Sequence, residues 1–132
     1  MKKITICGCF LLGVLVLYCI LSVVYVSPLI SQVDMVFQGN VPVSETQNTP
    51  LALYNYSDRM LPGYQVNSSV KCVFAFHNFQ RGYVWVRYEY WVFDEDGQLQ
   101  FGFANRFPVS PSRWTVEKVD GEWRILDIVE EP

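Results

Sequence analysis

The chain has 132 residues, of which 51% are hydrophobic and 16% aromatic, and its formal charge is −3 at pH 7. Two of its ten basic residues, Lys2 and Lys3, precede a long apolar stretch, so the rest of the chain carries eight basic against thirteen acidic side chains. This balance disfavours a nucleic-acid partner, and the high aromatic content disfavours extended disorder.

The segment Ile4–Val26 contains 23 residues and no charge. As an α-helix it would be about 34 Å long, enough to cross a hydrocarbon core of about 30 Å. Residues 1–3 would form a cytoplasmic stub, because Lys2 and Lys3 favour the cytoplasmic side of the cell membrane. We therefore expect a single-pass protein with an extracytoplasmic C-terminal part. A secreted product cleaved near Ser27 is an open alternative, although the residues before that position lack a small-x-small cleavage pattern.

After the apolar segment we predict a linker over residues 27–47 and a folded domain over residues 48–132. The linker mixes short apolar patches with Pro, Ser, Asn and Gln, and no helical or strand period continues across it. The domain is predicted to open with a short helix that begins at Asn48 or Thr49, ahead of Pro50, and stops before a Pro-Gly pair.

From Val70 onward the apolar spacing changes to two, and β-branched and aromatic residues dominate, which predicts an antiparallel sheet. The predicted strands cover residues 70–79, 83–93, 98–107, 113–119 and 122–129. The fold class is thus α+β: a transmembrane helix, then a short helix packed on a curved antiparallel sheet of about five strands.

The last two strands are joined by Asp120-Gly121, a pair that favours a type I′ hairpin turn. The predicted register places Val119 opposite Glu122, Glu117 opposite Arg124, and Trp114 opposite Asp127. Trp114, Val116 and Ile125 would then face the core.

The longer hairpin, with its loop predicted within residues 80–82, would be apolar on both faces. One face would hold Cys72, Phe74, Phe76, Trp85, Arg87, Glu89, Trp91 and Phe93, and the other Val73, Ala75, His77, Val84, Val86, Tyr88, Tyr90 and Val92. A sheet with one solvated face alternates cleanly between apolar and polar residues, so both faces should be covered. The helix and linker can cover one face, and we expect a protein partner or a second copy of the chain on the other.

The stretches YVWVRYEYWVFDEDGQLQ and RWTVEKVDGEWRILDI make residues 70–130 resemble the nuclear transport factor 2-like superfamily, also called cystatin-like. The resemblance implies a curved antiparallel sheet wrapped around N-terminal helices, a conical pocket, and dimers packed through the sheet. Fewer helices precede the sheet here than is usual in that superfamily. No motif of its enzymes matches this chain, so no catalytic residue is carried over.

The candidate pocket or interface consists of Arg87, Glu89, Trp85, Trp91 and His77. Desolvated among aromatic rings, Arg87 and Glu89 could clamp a ligand. The ordinary alternative is an ion pair on the strand surface, with His77 solvated near a hairpin end. We expect no catalytic residue, cofactor or metal, because the domain has one His and no close ligand cluster.

Cys72 is expected to be a small buried hydrophobe and not a nucleophile. Asn55 and Asn67 match the N-glycosylation acceptor pattern. Taken together, the sequence predicts a membrane-anchored, non-enzymatic interaction or scaffold module. The alternative function is a small-molecule-binding or enzymatic pocket in the cone of the sheet.

Overall fold

The computed structural model describes residues 2–105 and 109–130, with side chains from Cys7 onward. The helices are α1 (Lys2–Tyr25), α2 (Ser27–Phe37) and α3 (Val43–Thr46), followed by 3₁₀ turns at Pro50–Leu53 and Ser57–Arg59. The strands are β1 (Gln65–His77), β2 (Arg81–Phe93), β3 (Leu99–Ala104), β4 (Ser112–Val119) and β5 (Glu122–Glu130). The predicted α+β class with a five-stranded antiparallel sheet is confirmed.

The sheet is built around β2. One edge of β2 pairs with β1 from Gly82 to Phe93. The other edge is shared between β4, opposite Arg81–Val86, and β3, opposite Glu89–Phe93. β5 pairs with β4 and forms an outer edge. Because Arg81 pairs with Glu117, the β1–β2 loop and the β4–β5 turn lie at the same end of the sheet. We call it the hairpin end.

Helix α2 covers one face of the sheet and closes the core. Its buried residues are Leu29, Val33, Val36 and Phe37, at the spacing of one helical face. The predicted linker is therefore wrong over Ser27–Phe37, which belongs to the folded domain. Pro28 is compatible with the helix because it occupies the first turn, where its missing N–H leaves no bond unmade.

The centre of the core is a group of aromatic rings around Phe37. Its ring centroid lies 4.9 Å from that of Tyr54, 5.3 Å from that of Tyr88 and 5.4 Å from that of Tyr90. Such spacings are those of favourable aromatic pairs, each of which adds about 0.5–1.5 kcal/mol to simple area burial. Phe37 therefore joins α2 to both the sheet and the first 3₁₀ turn.

The helix predicted from Asn48 or Thr49 is present only as the two 3₁₀ turns. Between them, the Asn55 amide donates to the carbonyl oxygen of Val41 and to the hydroxyl of Thr46, while its side-chain oxygen accepts the N–H of Ser57. These local bonds compete with a continuous helix. They also bury Asn55, so this glycosylation pattern is not available on the folded chain, whereas Asn67 is exposed.

The β4–β5 hairpin confirms the predicted turn: Asp120 and Gly121 have φ angles of 52° and 83°, as a type I′ turn requires. Val119 pairs with Glu122 and Glu117 with Arg124, as predicted. A register shift next to Val116 then places Trp114 opposite Ile128 and not Asp127. The shift keeps Trp114, Val116 and Ile125 buried.

The β1–β2 hairpin differs from the prediction in its loop and in one bulge. His77 pairs with Gly82, so the loop comprises residues 78–80 and not residues within 80–82. A register shift between Cys72 and Phe74 leaves Val73 exposed and moves Cys72 to the core face. The third strand covers Leu99–Ala104, and the end of its predicted range, residues 106 and 107, lies outside the described residues.

Gly102 permits the close approach of β3 to β2. A Cβ atom at this position would overlap the carbonyl oxygen of Tyr90 and the ring of Trp91. We expect Gly102→Ala to destabilise the domain by about 1–3 kcal/mol through overpacking. Thermal unfolding of the full-length protein in detergent, followed by tryptophan fluorescence, measures the change. Ala104→Ser adds one heavy atom at an exposed position of the same strand and should leave the midpoint within about 2 °C; equal losses in both variants would contradict the overlap.

Candidate functional site

Four of the five predicted site residues lie on the outer face of the sheet, opposite α2. Trp85, Arg87, Glu89 and Trp91 alternate along β2 with core residues. Arg87 and Glu89 are exposed, and the one ion pair recorded among the described residues joins Arg81 to Glu117. The cavity beside the two charges is about 80 Å³, against the roughly 300 Å³ or more that encloses a small ligand. Arg87 and Glu89 therefore form no desolvated clamp for a ligand.

His77 is separate from those four, on the core face at the hairpin end. Its side chain belongs to a residue that is only 3% exposed, so the predicted solvated imidazole is wrong. Nδ1 accepts the N–H of Phe79 at 3.1 Å, and Nε2 lies 3.0 Å from the carbonyl oxygen of Ser22 in α1. Because Nδ1 accepts, we assign the neutral tautomer that carries its proton on Nε2 and donates it to Ser22.

Further bonds hold the C-terminal part of α1 on the hairpin end. The Tyr18 hydroxyl donates to the carbonyl oxygen of His77 at 2.6 Å, and the Trp123 indole N–H donates to the carbonyl oxygen of Tyr25 at 3.0 Å. The Lys118 ammonium lies 4.7 Å from the centre of the Tyr25 ring, within range of a cation–π interaction. We call this contact between Tyr18–Tyr25 and the hairpin end the helix junction.

A polar network that the sequence did not predict joins three buried residues, Tyr54, Ser112 and Trp114, to the exposed Glu130 at the end of β5. The hydroxyls of Tyr54 and Ser112 both donate to the same carboxylate oxygen of Glu130, at 2.5 and 3.0 Å. The Trp114 indole N–H is shared between the hydroxyl oxygens of Tyr54 and Ser112, at 3.0 and 3.1 Å. Every donor in the network has an acceptor, so it pins β5 to the first 3₁₀ turn.

Burial raises the pKa of the Tyr54 phenol well above its ordinary value, and the bond to Glu130 raises it further. Burial also raises the pKa of Tyr88 and, to about 12, that of Tyr90, whose hydroxyl is buried without a hydrogen-bond partner. These three phenols stay neutral at physiological pH, so none of them is suited to act as a general base.

The raised pKa values predict alkaline unfolding. A tyrosine whose pKa is higher in the folded than in the unfolded chain contributes stability that is complete below about pH 10 and is lost as the pH rises further. Absorbance at 295 nm should therefore show Tyr54, Tyr88 and Tyr90 ionising only above about pH 10, together with unfolding. A single transition near pH 10 for all eight tyrosines, with tryptophan fluorescence unchanged, would contradict the burial.

The outer face near the hairpin end carries an apolar surface that we call the aromatic patch. It consists of the rings of Phe74, Phe76, Tyr83 and Trp85, with Leu126 beside them. Phe76 is 59% exposed and Tyr83 42%. A cavity of about 860 Å³ opens between this patch and Tyr18 of α1. The apolar surface predicted for the second face is therefore present near the hairpin end, where the single chain leaves it open to solvent.

The remaining candidates for chemistry are a metal cluster, the Cys72 thiol and a groove beside β5. Among the described residues, no three His, Cys, Asp or Glu side chains gather as a metal site. Burial raises the pKa of the Cys72 thiol to about 11, so the nucleophilic thiolate is scarce at neutral pH. A groove of about 660 Å³ between α2 and the β5 edge is large enough for a small ligand, and its lining mixes apolar and polar side chains.

No protein-family model, curated protein or solved structure matches this chain. The resemblance to the nuclear transport factor 2-like superfamily stays a prediction, and function has to be inferred from the geometry of the chain itself.

Proposed function

We propose that this protein is a single-pass, membrane-anchored interaction module whose α+β domain stands outside the cytoplasm. One observation carries the proposal: residues 7–17 of α1 are exposed and apolar, while the C-terminal part of the same helix is packed on the domain. An apolar helix that is solvated on every face is unfavourable in water and is what a bilayer accommodates. Lys2 and Lys3 favour a cytoplasmic N-terminus.

The domain supports a binding role better than a catalytic one. Its core face is filled by α2 and aromatic rings, and its outer face exposes the aromatic patch. A protein partner or a second copy on that face would remove apolar surface from water. A sheet covered on one face by a helix is consistent with the superfamily that the sequence resembles, in which packing through the sheet is frequent.

A secreted product cleaved near Ser27 fits the geometry less well. Cleavage there would remove Ser22 and Tyr25, whose carbonyl oxygens accept bonds from His77 and Trp123. Two buried donors would lose their acceptors, at a cost of about 1–3 kcal/mol each. The mass of the membrane-bound chain distinguishes the two products.

Alkaline carbonate extraction tests the membrane anchor. We expect the full-length chain to stay with the membranes, and Leu12→Arg with Leu15→Arg to release it, since each Arg near the bilayer centre costs about 2.5–3.5 kcal/mol. Leu53→Arg with Leu61→Arg, at two exposed leucines of the domain, is the matched control and should remain membrane-bound. Extraction of the unmodified chain would refute the anchor.

Protease added to intact cells tests the orientation. The domain should be digested from outside, leaving a fragment that contains α1. Complete protection of an intact membrane-bound chain would refute the extracytoplasmic placement while leaving the anchor in place.

A further inference from the structure

The part of α1 that stands clear of the domain is shorter than a bilayer. Among the side chains of the uncharged run that the structure describes, which begin at Cys7, the contacts with the hairpin end start at Tyr18. Counted from Ile4, where the uncharged run begins, fourteen residues precede Tyr18. Fourteen helical residues extend about 21 Å, whereas the hydrocarbon core is about 30 Å thick. About 9 Å of the core therefore has to be spanned by the next residues of the helix, which are the ones packed on the domain.

The tip of the β1–β2 hairpin, residues 76–83, lies beside that part of the helix. The ring of Tyr18 is 6.5 Å from Phe76 and 6.3 Å from Phe79, centroid to centroid, and Tyr25 is 5.1 Å from Phe79. Tyr18 precedes the end of the apolar run at Val26 by eight residues, or about 12 Å along the helix axis. The tip thus descends to the level that a spanning helix places inside the membrane.

The composition of the tip suits the boundary between lipid tails and headgroups. Phe76 and Tyr83 present exposed rings, and the side chain of Arg81 is 67% exposed. Exposed polar residues, Asn78 and Gln80, separate them. Aromatic rings beside cationic and amide side chains are typical of protein segments at a membrane interface, where rings enter the acyl boundary and charges reach the headgroups.

We propose that the β1–β2 hairpin tip, residues 76–83, is a second membrane-contacting element, seated in the headgroup region of the leaflet through which α1 leaves the bilayer. The occupant of this end of the aromatic patch is lipid, because the patch continues directly onto the apolar surface of α1 through Tyr18. The inference rests on the proposed membrane anchor. It leaves the part of the outer face far from the hairpin end for a protein partner.

Photocrosslinking of the full-length protein in phosphatidylcholine vesicles tests this contact. The photoreactive amino acid p-benzoylphenylalanine is placed at position 76, and in a separate variant at position 99, where Leu99 is 55% exposed at the start of β3. Mass spectrometry then detects protein–lipid adducts. We expect a several-fold excess of lipid adduct at position 76 over position 99.

The other outcomes each overturn the inference. Crosslinked dimers at position 76 would show that a second copy covers the tip. Equal lipid adducts at both positions would show that the tip has no preferred contact with lipid, and absent adducts would show that it is in water. If the variant at position 76 fails to fold, p-benzoylphenylalanine in place of Tyr83 tests the same contact with lipid. Carbonate extraction of the same sample separates the two proposals: a chain retained in the vesicles without adduct refutes only the hairpin contact, whereas a chain released from them refutes the anchor.

Discussion

Phe37→Ala should cost about 3–5 kcal/mol of the free energy of unfolding, a large part of the roughly 5–15 kcal/mol available to a small domain. The ring is 1% exposed and contacts three tyrosine rings from the sheet and the first 3₁₀ turn. Its removal leaves a cavity that the surrounding rings cannot fill without moving α2. Thermal unfolding of the full-length chain in detergent, followed by tryptophan fluorescence, measures the loss.

Met35→Ala is the matched control, because Met35 lies on the same helix and is 48% exposed. We expect it to change stability by less than about 1 kcal/mol. A small effect for both substitutions would mean that residues 27–37 act as a linker, as the sequence pattern predicts.

His77→Ala should lower stability by about 3 kcal/mol and loosen the helix junction. The substitution leaves the carbonyl oxygen of Ser22 and the N–H of Phe79 without their partner and opens a cavity at the hairpin end. Chymotrypsin should then cleave after Tyr25 more rapidly than in the unmodified protein. The cleavage rate reports on the junction itself, and the unfolding midpoint reports on the whole domain.

Two further substitutions make the His77 result specific. His77→Gln keeps an amide N–H that can donate toward Ser22 and should restore part of the stability. Asn67→Ala, at an exposed position of the same strand, should leave both measurements unchanged. Rapid cleavage after Tyr25 in the unmodified protein would contradict a packed junction.

The strands were predictable because their signals are local. Alternating apolar residues define β2, and the Asp120-Gly121 turn fixes the register of the last hairpin for its first pairs. The two register shifts, next to Val73 and Val116, each add one residue to a strand, and an alternation pattern does not show which residue is extra. The alternation pattern therefore places Cys72 on the wrong face and Trp114 opposite the wrong partner.

The helix over Ser27–Phe37 differs from the predicted linker although the sequence carries its signal. Leu29, Val33 and Val36 have helical spacing, but Pro28 and the scattered polar residues interrupt the apolar pattern. The network of Tyr54 and Glu130 joins residues 76 positions apart, and nothing local in the sequence brings them together. A position near a hairpin end predicts a solvated imidazole for His77, and the partner that buries it, Ser22, lies in a helix that the sequence assigns wholly to the membrane.

Only Val26, which is fully buried, separates α1 from α2. A domain on a flexible tether samples a volume set by the tether length, and captures partners that diffuse through that volume. A membrane-anchored chain with no such slack has a fixed height above its bilayer. On the proposed membrane anchor, a partner would have to reach that height, so encounters would become a two-dimensional search among neighbours in the same membrane.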